Sequence, residues 1–285
     1  MIALGHSKVP ADFKGVLERA DITNKEQLKQ VMTKHAVTQV YHLAAVLSAV
    51  GESKPDLAWE VNLLAVKTIL DLSVELKVNK VFWASSMAVF GPTTPKEGTP
   101  QHTSIEPTTM YGITKYAGEL LGQYYFQKFG LDVRSLRYPG IISWKELPGG
   151  GTTDYAVGIF YDAIEKGKYE CFVNEQTRLP MMYMEDAVNA TIQFMQADSD
   201  KIKVRTSYNL AAISFTVPEL VAEIQKKIPL EVTYKPDSRQ AIADSWPDSL
   251  DDTEARKDWG WAHKFDLEAL VDVMLTNLKV KLGKA

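Results

Sequence analysis

Short apolar runs alternate with longer helical patterns along this chain of 285 residues. Runs typical of strands lie near 1–5, 16–20, 37–45, 79–85, 132–138, 169–173 and 206–210. Helical patterns lie near 24–35, 55–77, 109–129, 153–166, 185–197, 217–227 and 266–281. Because strands that alternate with helices form parallel pairs, this order predicts an α/β fold built on a doubly wound parallel sheet.

A Tyr-x-x-x-Lys pair, Tyr111 and Lys115, opens one of the long helical patterns. Residues four apart share one face of a helix, so the ammonium is expected beside the phenol. A neighbouring cation favours the phenolate and lowers the tyrosine pKa from its usual value of about 10. Such a phenol is a general base for an alcohol; the alternative is an ordinary pair on a helix surface.

Two serines, Ser85 and Ser86, close the apolar run that begins at Lys80. The carboxyl ends of neighbouring parallel strands meet at one edge of an open sheet, where such folds bind their ligands. We therefore expect a serine hydroxyl to hold a substrate oxygen beside Tyr111. These groups suffice to take a proton from a carbinol while its hydride leaves for a nicotinamide.

These residues resemble the extended short-chain dehydrogenase/reductase superfamily. The shared signals are His42-Leu43-Ala44-Ala45, Asn62, Ser85-Ser86 and Tyr111-x-x-x-Lys115. Longer and rarer motifs resemble the L-threonine 3-dehydrogenase family, which is related to UDP-galactose 4-epimerase; they occupy 47–52, 137–143, 148–156, 179–184 and 245–251. The likeness extends over essentially the whole chain.

The resemblance implies a Rossmann-type sheet and NAD-dependent oxidation of L-threonine to L-2-amino-3-oxobutanoate. It implies that Tyr111, Lys115 and Ser86 are catalytic. Cofactor contacts are expected from Asp21, Ile22, Leu43, Ala44, Ala45, Asn62, Ser85, Tyr111, Lys115, Tyr138, Pro139 and Ile141. Substrate contacts are expected from Ser48, Ser86, Tyr111, Gly151, Thr152 and Trp246. The helices at 55–77 and 109–129 are expected to form a homodimer interface.

We expect two interleaved lobes in this chain. Residues 1–145 would form the NAD-binding Rossmann domain, and 146–285 the smaller substrate-binding lobe. The strands near 170 and 208 are expected to connect them. The stretch 145–153, with Pro148 and three glycines, is predicted to be a flexible loop over the site.

The beginning of the chain departs from the family pattern in two ways. The family starts with a strand, a Gly-x-x-Gly-x-x-Gly loop and a helix, whereas this sequence starts at the second strand. We therefore expect an incomplete version of a longer natural chain, lacking its central strand and pyrophosphate cradle. In addition, Gly5-His6-Ser7-Lys8 stands where NAD enzymes usually carry an acidic residue. A basic end could admit NADP, although the family favours NAD.

Several of the candidate residues have a purely structural alternative. Asp21 could cap the following helix instead of binding adenine, and Asn62 could be solvated. His42 is interpreted as a satisfied core histidine rather than a catalytic one. The alternative roles of the other candidates are a turn serine at 48, helix caps at Thr152 and Thr153, and a core tryptophan at 246.

Two other functions fit the same sequence. The first is a nucleotide-sugar epimerase or dehydratase, since such enzymes share the catalytic face. They typically carry an arginine near Pro180–Met184, where its charge suits a pyrophosphate, but this segment is apolar. The second is a non-catalytic remnant without its cofactor cradle.

Composition and charge exclude several classes of partner. The net charge of −4, without a basic arm, argues against nucleic-acid binding. The single cysteine, Cys171, is expected to be buried and fits a reducing compartment. No apolar run is long enough for a membrane span and no signal-peptide pattern begins the sequence, so a cytoplasmic location is expected. The scattered histidines predict no metal site.

Overall fold

The computed structural model describes residues 1–5 and 13–284. Its strands are β1 (Ile2–Gly5), β2 (Val16–Arg19), β3 (Gln39–His42), β4 (Lys80–Ser86), β5 (Asp132–Tyr138), β6 (Gly140–Ile142), β7 (Lys168–Cys171), β8 (Arg178–Tyr183), β9 (Tyr208–Asn209), β10 (Ile213–Thr216) and β11 (Glu231–Tyr234). Among the residues described, no helix is both long and apolar enough to span a membrane.

The helices alternate with these strands as predicted over most of the chain. They are α1 (Lys25–Lys34), α2 (Ser48–Ser53), α3 (Pro55–Trp59), α4 (Ala65–Glu75), α5 (Met110–Phe129), α6 (Tyr155–Lys166), α7 (Met184–Gln196), α8 (Val217–Gln225), α9 (Arg239–Asp244), α10 (Thr253–Trp259) and α11 (Leu267–Lys281). The predicted α/β class with parallel sheets is confirmed.

The four-stranded sheet has the order β3-β4-β5-β9, and every neighbouring pair in it is parallel. Its register places Ser85 opposite Arg137 and Ser86 opposite Tyr138. Since all four strands run the same way, their carboxyl ends lie at one edge. That edge carries the serines that the sequence singles out.

Three smaller sheets complete the strand pairing. β1 and β2 form a parallel pair, β11 and β7 form another, and β8 lies between β10 and β6. The strand near 208 therefore joins the four-stranded sheet, whereas the strand near 170 pairs with β11 in the part of the chain that the structure describes. Strands β6, β10 and β11 were not predicted, and the Pro139-Gly140 pair at the start of β6 is typical of a turn.

The helix expected over 55–77 is confirmed as one continuous helical run, in which a π-helical segment, Glu60–Leu64, joins α3 to α4. One other prediction of local structure was wrong. Ser48 was expected in a loop but is the first residue of the helix α2. A six-residue helix that contains Gly51 carries too little periodic signal to be recognised in the sequence. The strand β8 was also not recognised, since Pro180 within it suggests a break.

Helix α5 begins and ends where its sequence dictates. The Thr109 hydroxyl oxygen accepts a hydrogen bond from the Gly112 backbone N–H at 3.0 Å, which caps the first turn. Gly130 ends the helix with φ +69°, a left-handed conformation that glycine adopts without strain.

Glycines let α5 pack closely against the sheet. A Cβ atom added at Gly112 would lie 2.2 Å from the Ala88 carbonyl oxygen. A Cβ atom added at Gly118 would lie 2.5 Å from Cη2 of Trp83, a buried side chain on β4. Both distances are far below van der Waals contact, so the helix can approach β4 only because these positions have no side chain.

We expect Gly118→Ala to destabilise the protein. Overpacking against the buried Trp83 ring costs about 1–3 kcal/mol, whereas alanine gains only about 1 kcal/mol over glycine in a helix. Gly158→Ala in α6 is the matched control, because its Cβ would lie 3.4 Å from Tyr169 Oη. Urea unfolding of both variants measures the difference. Equal stability of the two variants would contradict the close packing described here.

Candidate active site

Tyr111 and Lys115 lie in the first two turns of α5 and face the end of β4. The Lys115 Nζ atom donates a hydrogen bond to the Ala84 carbonyl oxygen at 2.6 Å. It lies 5.4 Å from the centroid of the Tyr111 ring and 5.0 Å from that of Trp83. The predicted pair therefore forms, and its lysine is fixed by the strand that carries the serines.

The electrostatics of this pair differ from the prediction. Burial raises the pKa of Tyr111 to about 12, and the nearby Ser86 hydroxyl opposes only part of that rise. Burial also lowers the pKa of Lys115 to about 7. The expected fall in the tyrosine pKa is therefore wrong for the protein alone. Removal from water disfavours the charged form of both side chains.

The two serines of β4 have different surroundings. The Ser86 hydroxyl lies beside Tyr111, and its oxygen also accepts a hydrogen bond from the Ala88 backbone N–H at 3.2 Å. The Ser85 side chain is buried, and its hydroxyl donates to Glu119 at 2.6 Å. Ser86 is thus the serine that faces the phenol, while Ser85 is engaged within the protein.

Two candidate substrate residues from distant parts of the chain meet in the structure. The buried hydroxyls of Ser48 and Thr152 are 3.1 Å apart. The backbone N–H groups of Gly150 and Gly151 both donate to one carboxylate oxygen of Asp154, each at 2.8 Å. This carboxylate holds the segment before α6 in a fixed turn. The alternative that Thr152 and Thr153 cap the helix is wrong, because Asp154 is the residue at the cap position.

Helix α2 brings the Ser48 hydroxyl group to the same region as Tyr111. A Cβ atom added at Gly51 would lie 3.9 Å from the Cβ atom of Tyr111. A carboxylate oxygen of Glu52 accepts a hydrogen bond from the Met110 backbone N–H at 2.7 Å. The helix that carries Ser48 therefore packs against the helix that carries Tyr111.

Trp246 is buried in the core of the C-terminal half, with 4 % of its surface exposed. Its backbone carbonyl accepts a hydrogen bond from the Lys96 Nζ atom at 2.6 Å. Tyr111 packs against the edge of the same apolar cluster. The structure thus supports a core role for this tryptophan and places it in one cluster with the candidate base.

Small and apolar residues at the end of β3 lie close to one buried polar side chain. Leu43 and Ala44 are exposed, and Ala45 is half-buried. Asn62 lies buried in the π-helical segment, where its amide makes hydrogen bonds of 2.7 Å and 2.9 Å with the backbone N–H and C=O of Val46. The alternative of a solvated asparagine is wrong, since this side chain fixes the turn after β3.

His42 is buried as interpreted but is not a satisfied core histidine. Its Nε2 atom has no hydrogen-bond partner among the residues described. Burial, together with the charge of Lys115, lowers the pKa of His42 to about 4. The imidazole is therefore neutral near pH 7, and its charged form is disfavoured by the same desolvation that acts on the lysine.

The remaining cofactor candidates lie at the ends of β2 and β5. Asp21 is exposed, and its carboxylate accepts hydrogen bonds from the Thr23 backbone N–H and hydroxyl. The cap of α1 is Asn24, so the capping alternative for Asp21 is wrong. Ile22 packs against the apolar cluster between α1 and α4. Residues 6–8, whose charge was considered for the choice between NAD and NADP, are outside the described residues.

The segment after β5 joins the sheet edge to the C-terminal half. Tyr138 is the last residue of β5 and its hydroxyl is hydrogen-bonded to Thr191 of α7. Pro139 is buried, and Ile141 is half-buried in β6. These residues lie beyond Ser86 at the same edge of the sheet, where the resemblance predicts the nicotinamide end of the cofactor.

The donor set at this edge fits one end of a nicotinamide nucleotide. The Lys115 ammonium, the Tyr111 phenol and exposed backbone after β3 can bind a ribose and its neighbouring ring. Within 1–5 and 13–284, the glycines for which an added side chain would clash lie in α5, at the start of β6 and near 15 and 91. The residues at this edge are compatible with the nicotinamide end of the cofactor.

Sequence reasoning missed three groups that shape the site: the Glu119–Arg137 ion pair under the serines, the Glu52 contact to the start of α5, and the Asp154 turn. Glu119 follows Tyr111 and Lys115 at the same spacing of four residues, and that spacing was the available signal.

Comparison with known proteins agrees with the geometry. Residues 3–211 match the model of the NAD dependent epimerase/dehydratase family. The chain is 46% identical over 269 residues to an uncharacterized epimerase/dehydratase of Staphylococcus haemolyticus, covering 94% of this chain and 84% of that protein. It is 47% identical over 258 residues to the mitochondrial L-threonine 3-dehydrogenase of Bos taurus, covering 90% and 69%.

A solved structure shows the same fold at high similarity. It is a monomeric L-threonine 3-dehydrogenase from a metagenome database in its apo form, with 48% identity and a TM-score of 0.95. The match covers 98% of this chain and 90% of that one. The chain therefore has the Rossmann-like fold of the short-chain dehydrogenases and belongs to the NAD dependent epimerase/dehydratase family of nicotinamide-dependent enzymes.

Proposed function

We propose that the protein oxidises L-threonine to L-2-amino-3-oxobutanoate with NAD. The observation that carries this proposal is that helix α5, which bears Tyr111 and Lys115, packs against helix α2, which bears Ser48. Tyr111, Ser86 and Lys115 form a unit suited to alcohol oxidation. The hydroxyl pair of Ser48 and Thr152 lies on α2 and the loop that packs against it.

Each residue has a separate part in the proposed reaction. Ser86 donates a hydrogen bond to the substrate hydroxyl oxygen and sets its position. Tyr111 accepts the hydroxyl proton, and Lys115 favours the phenolate when it carries its charge. NAD, when bound, accepts the hydride from the carbinol carbon. Lys115 is held in place by the Ala84 carbonyl, so its distance from the phenol does not depend on the substrate.

The other end of the substrate is an ammonium and a carboxylate. Ser48 and Thr152 offer hydroxyl groups that can donate or accept, and both side chains are buried. Gly151 presents its backbone beside them, although its N–H is engaged by Asp154. These neutral groups suit a small zwitterion. Trp246 is proposed to close the apolar side of the pocket from within the core.

A nucleotide-sugar substrate is less compatible with this arrangement. Met181 and Met182 of β8 are fully buried and apolar. Arg178, at the start of this strand, binds the Glu219 carboxylate at 2.8 Å and the Ser214 carbonyl at 3.0 Å. Its charge is therefore already paired, and β8 offers no free cation for a diphosphate.

We expect Tyr111→Phe to lower the rate of L-threonine oxidation by about 10²-fold or more, because the variant has no general base. Its affinity for NAD should remain. In the parent protein the rate should rise with pH above neutrality, since only the deprotonated phenol accepts a proton and the Tyr111 pKa is about 12; loss of the Lys115 charge above its pKa of about 7 should make this rise shallower. Steady-state kinetics across pH and calorimetric NAD titration measure both. Near-normal turnover of the variant would refute the assignment.

Substrate choice separates the candidate functions. We expect NAD reduction with L-threonine and no epimerisation of UDP-galactose by the same preparation. L-2-aminobutyrate should not react, and a buried site built to bind a hydroxyl often rejects analogues without it by about 10⁴-fold. Trp246→Ala should mainly raise KM, because Tyr111 is unchanged.

Two outcomes of these assays would reverse the proposal. Epimerisation without threonine oxidation would identify a nucleotide-sugar enzyme. Absence of both activities, together with no rise in Tm on adding NAD, would identify a non-catalytic protein, since a ligand that binds the folded state must stabilise it.

We also propose a homodimer formed through α3, α4 and α5. Exposed apolar side chains lie on α3, on the π-helical segment between α3 and α4, and on α5: Leu57, Trp59, Leu64, Ile113, Leu120 and Tyr124. Several large apolar side chains exposed on neighbouring helices are typical of a protein interface.

Leu120→Asp should convert the dimer to a monomer, because it places a charge in the apolar interface. Val188→Asp is the matched control, since Val188 is an equally exposed apolar residue on α7. Sedimentation velocity measures the masses of the parent and both variants. A monomeric parent, like the monomeric threonine dehydrogenase it resembles, would exclude this interface.

A further inference from the structure

The acidic residue Glu119 lies about one helical turn after Lys115 on α5. Tyr111, Lys115 and Glu119 are spaced four residues apart on α5, so they share one face of the helix. Each contacts one of three consecutive residues of β4: Tyr111 faces Ser86, Lys115 donates to the Ala84 carbonyl, and Glu119 accepts from the Ser85 hydroxyl. The helix is therefore attached to the strand by three polar contacts in a row.

The third contact is the most deeply buried one. Glu119 has no exposed surface, and Arg137 has 2 %. The guanidinium Nε and Nη2 atoms of Arg137 donate to the two oxygens of Glu119 at 2.9 Å and 2.7 Å. Arg137 lies directly opposite Ser85 in the β4–β5 register, so the carboxylate links α5 to both strands at once.

The remaining donor of Arg137 extends the cluster to other elements. Its Nη1 atom donates to the Gln101 carbonyl and to the Asn209 side chain, both at 3.1 Å. Its guanidinium also lies 5.1 Å from the centroid of the Phe90 ring. The arrangement is closed, with charge and hydrogen bonds satisfied, and it fixes Arg137 against β9 and the segment before α5.

Stability alone does not explain this buried ion pair. Well-packed apolar side chains often stabilise a core as well as a buried salt bridge does, whereas fixing register is the best attested use of such a pair. Register matters here, because one residue of helix corresponds to a rotation of about 100° and a rise of about 1.5 Å. A shift of about 1 Å at reacting groups can lower a rate by about 10²-fold.

We infer that Glu119 and Ser85 are positioning residues for proton transfer to Tyr111. The Glu119 carboxylate holds α5 in one rotation and one axial position relative to β4. Because the Ser85 hydroxyl is bonded to this carboxylate, the adjacent Ser86 is held at a fixed position relative to Tyr111. This inference rests on the proposed function, and it assigns Ser85 a role in holding the helix instead of a contact to the cofactor.

The same strand supplies a matched control pair. Asp132, at the opposite end of β5, binds the buried Arg134 at 2.8 Å and Arg205 at 2.8 Å. Asp132 lies opposite Lys80, at the start of β4 and away from the serines. Asp132→Asn therefore removes a carboxylate from a comparable ion pair without touching the contacts of Tyr111, Lys115 or Ser86.

Glu119→Gln, Ser85→Ala and Asp132→Asn are compared in the purified protein. Glu119→Gln removes the charge at constant size, and Ser85→Ala removes one hydrogen bond while keeping the ion pair, so it remains informative where Glu119→Gln fails to fold. We expect kcat for L-threonine to fall by at least about tenfold in the first two variants, with KM and NAD affinity little changed. Asp132→Asn should lower the urea midpoint but keep kcat.

Three results would overturn the inference: unchanged kcat in Ser85→Ala and Glu119→Gln, an equal fall of kcat in Asp132→Asn, or a loss of NAD affinity in Ser85→Ala. A parent protein without threonine oxidation would count against the proposed function alone. In that case the rate of amide hydrogen exchange at the start of α5 tests whether Ser85 holds the helix, since this measurement needs no substrate. Faster exchange over 110–116 in Ser85→Ala than in Asp132→Asn supports it, and equal exchange refutes it.

Discussion

The close approach of α5 to β4 is the constraint on which the site depends. It requires glycine at 112 and 118, since a side chain at either position would overlap the Ala88 carbonyl or the Trp83 ring. Glycine weakens a helix by about 1 kcal/mol relative to alanine, so the intrinsic preference of the sequence opposes this helix at two positions. Tertiary packing overcomes that preference. The result is a lysine that reaches a main-chain carbonyl of the strand and a phenol that reaches its last serine.

Close packing also determines the electrostatics. The same burial that positions Tyr111 and Lys115 removes water from both, which raises the tyrosine pKa to about 12 and lowers the lysine pKa to about 7. In the protein alone the phenol therefore keeps its proton at neutral pH. A positive charge brought next to the phenol in so dry a site acts through a low dielectric and is more effective than in water. In the proposed reaction, the ability of Tyr111 to accept a proton therefore depends on the charges next to its phenol.

The sequence was informative wherever function depends on spacing along one element. The Tyr111–Lys115 pair, the serines that end β4 and the bounds of α5 follow from helical and strand periodicity, and the structure confirms those elements. Contacts between distant parts of the chain were not predictable in the same way. The Ser48–Thr152 hydroxyl contact joins residues 104 positions apart, and short elements such as α2 carry no periodic signal.

Desolvation was the other quantity that the sequence could not supply. A lysine four residues from a tyrosine predicts attraction, but the sign of the pKa shift depends on how much water both groups lose. Periodicity likewise predicts that His42 is buried and not whether its polar atoms find partners, and its Nε2 atom has none among the residues that the structure describes. The expected direction of the Tyr111 pKa shift was therefore wrong, and so was the satisfied hydrogen bonding expected of His42.

The side chains around the proposed substrate position restrict the size and charge of the substrate. In the region proposed for the substrate, Ser48 of α2 and Thr152 before α6 contribute hydroxyl groups, and Asp154 is engaged by two backbone N–H groups. The Lys115 cation lies beside the phenol and is bound to the Ala84 carbonyl. A diphosphate would require further positive charge to offset its desolvation, whereas an amino acid carries its own compensating charges. The hydroxyl groups of this region therefore agree with the small amino-acid alcohol that we propose as the substrate.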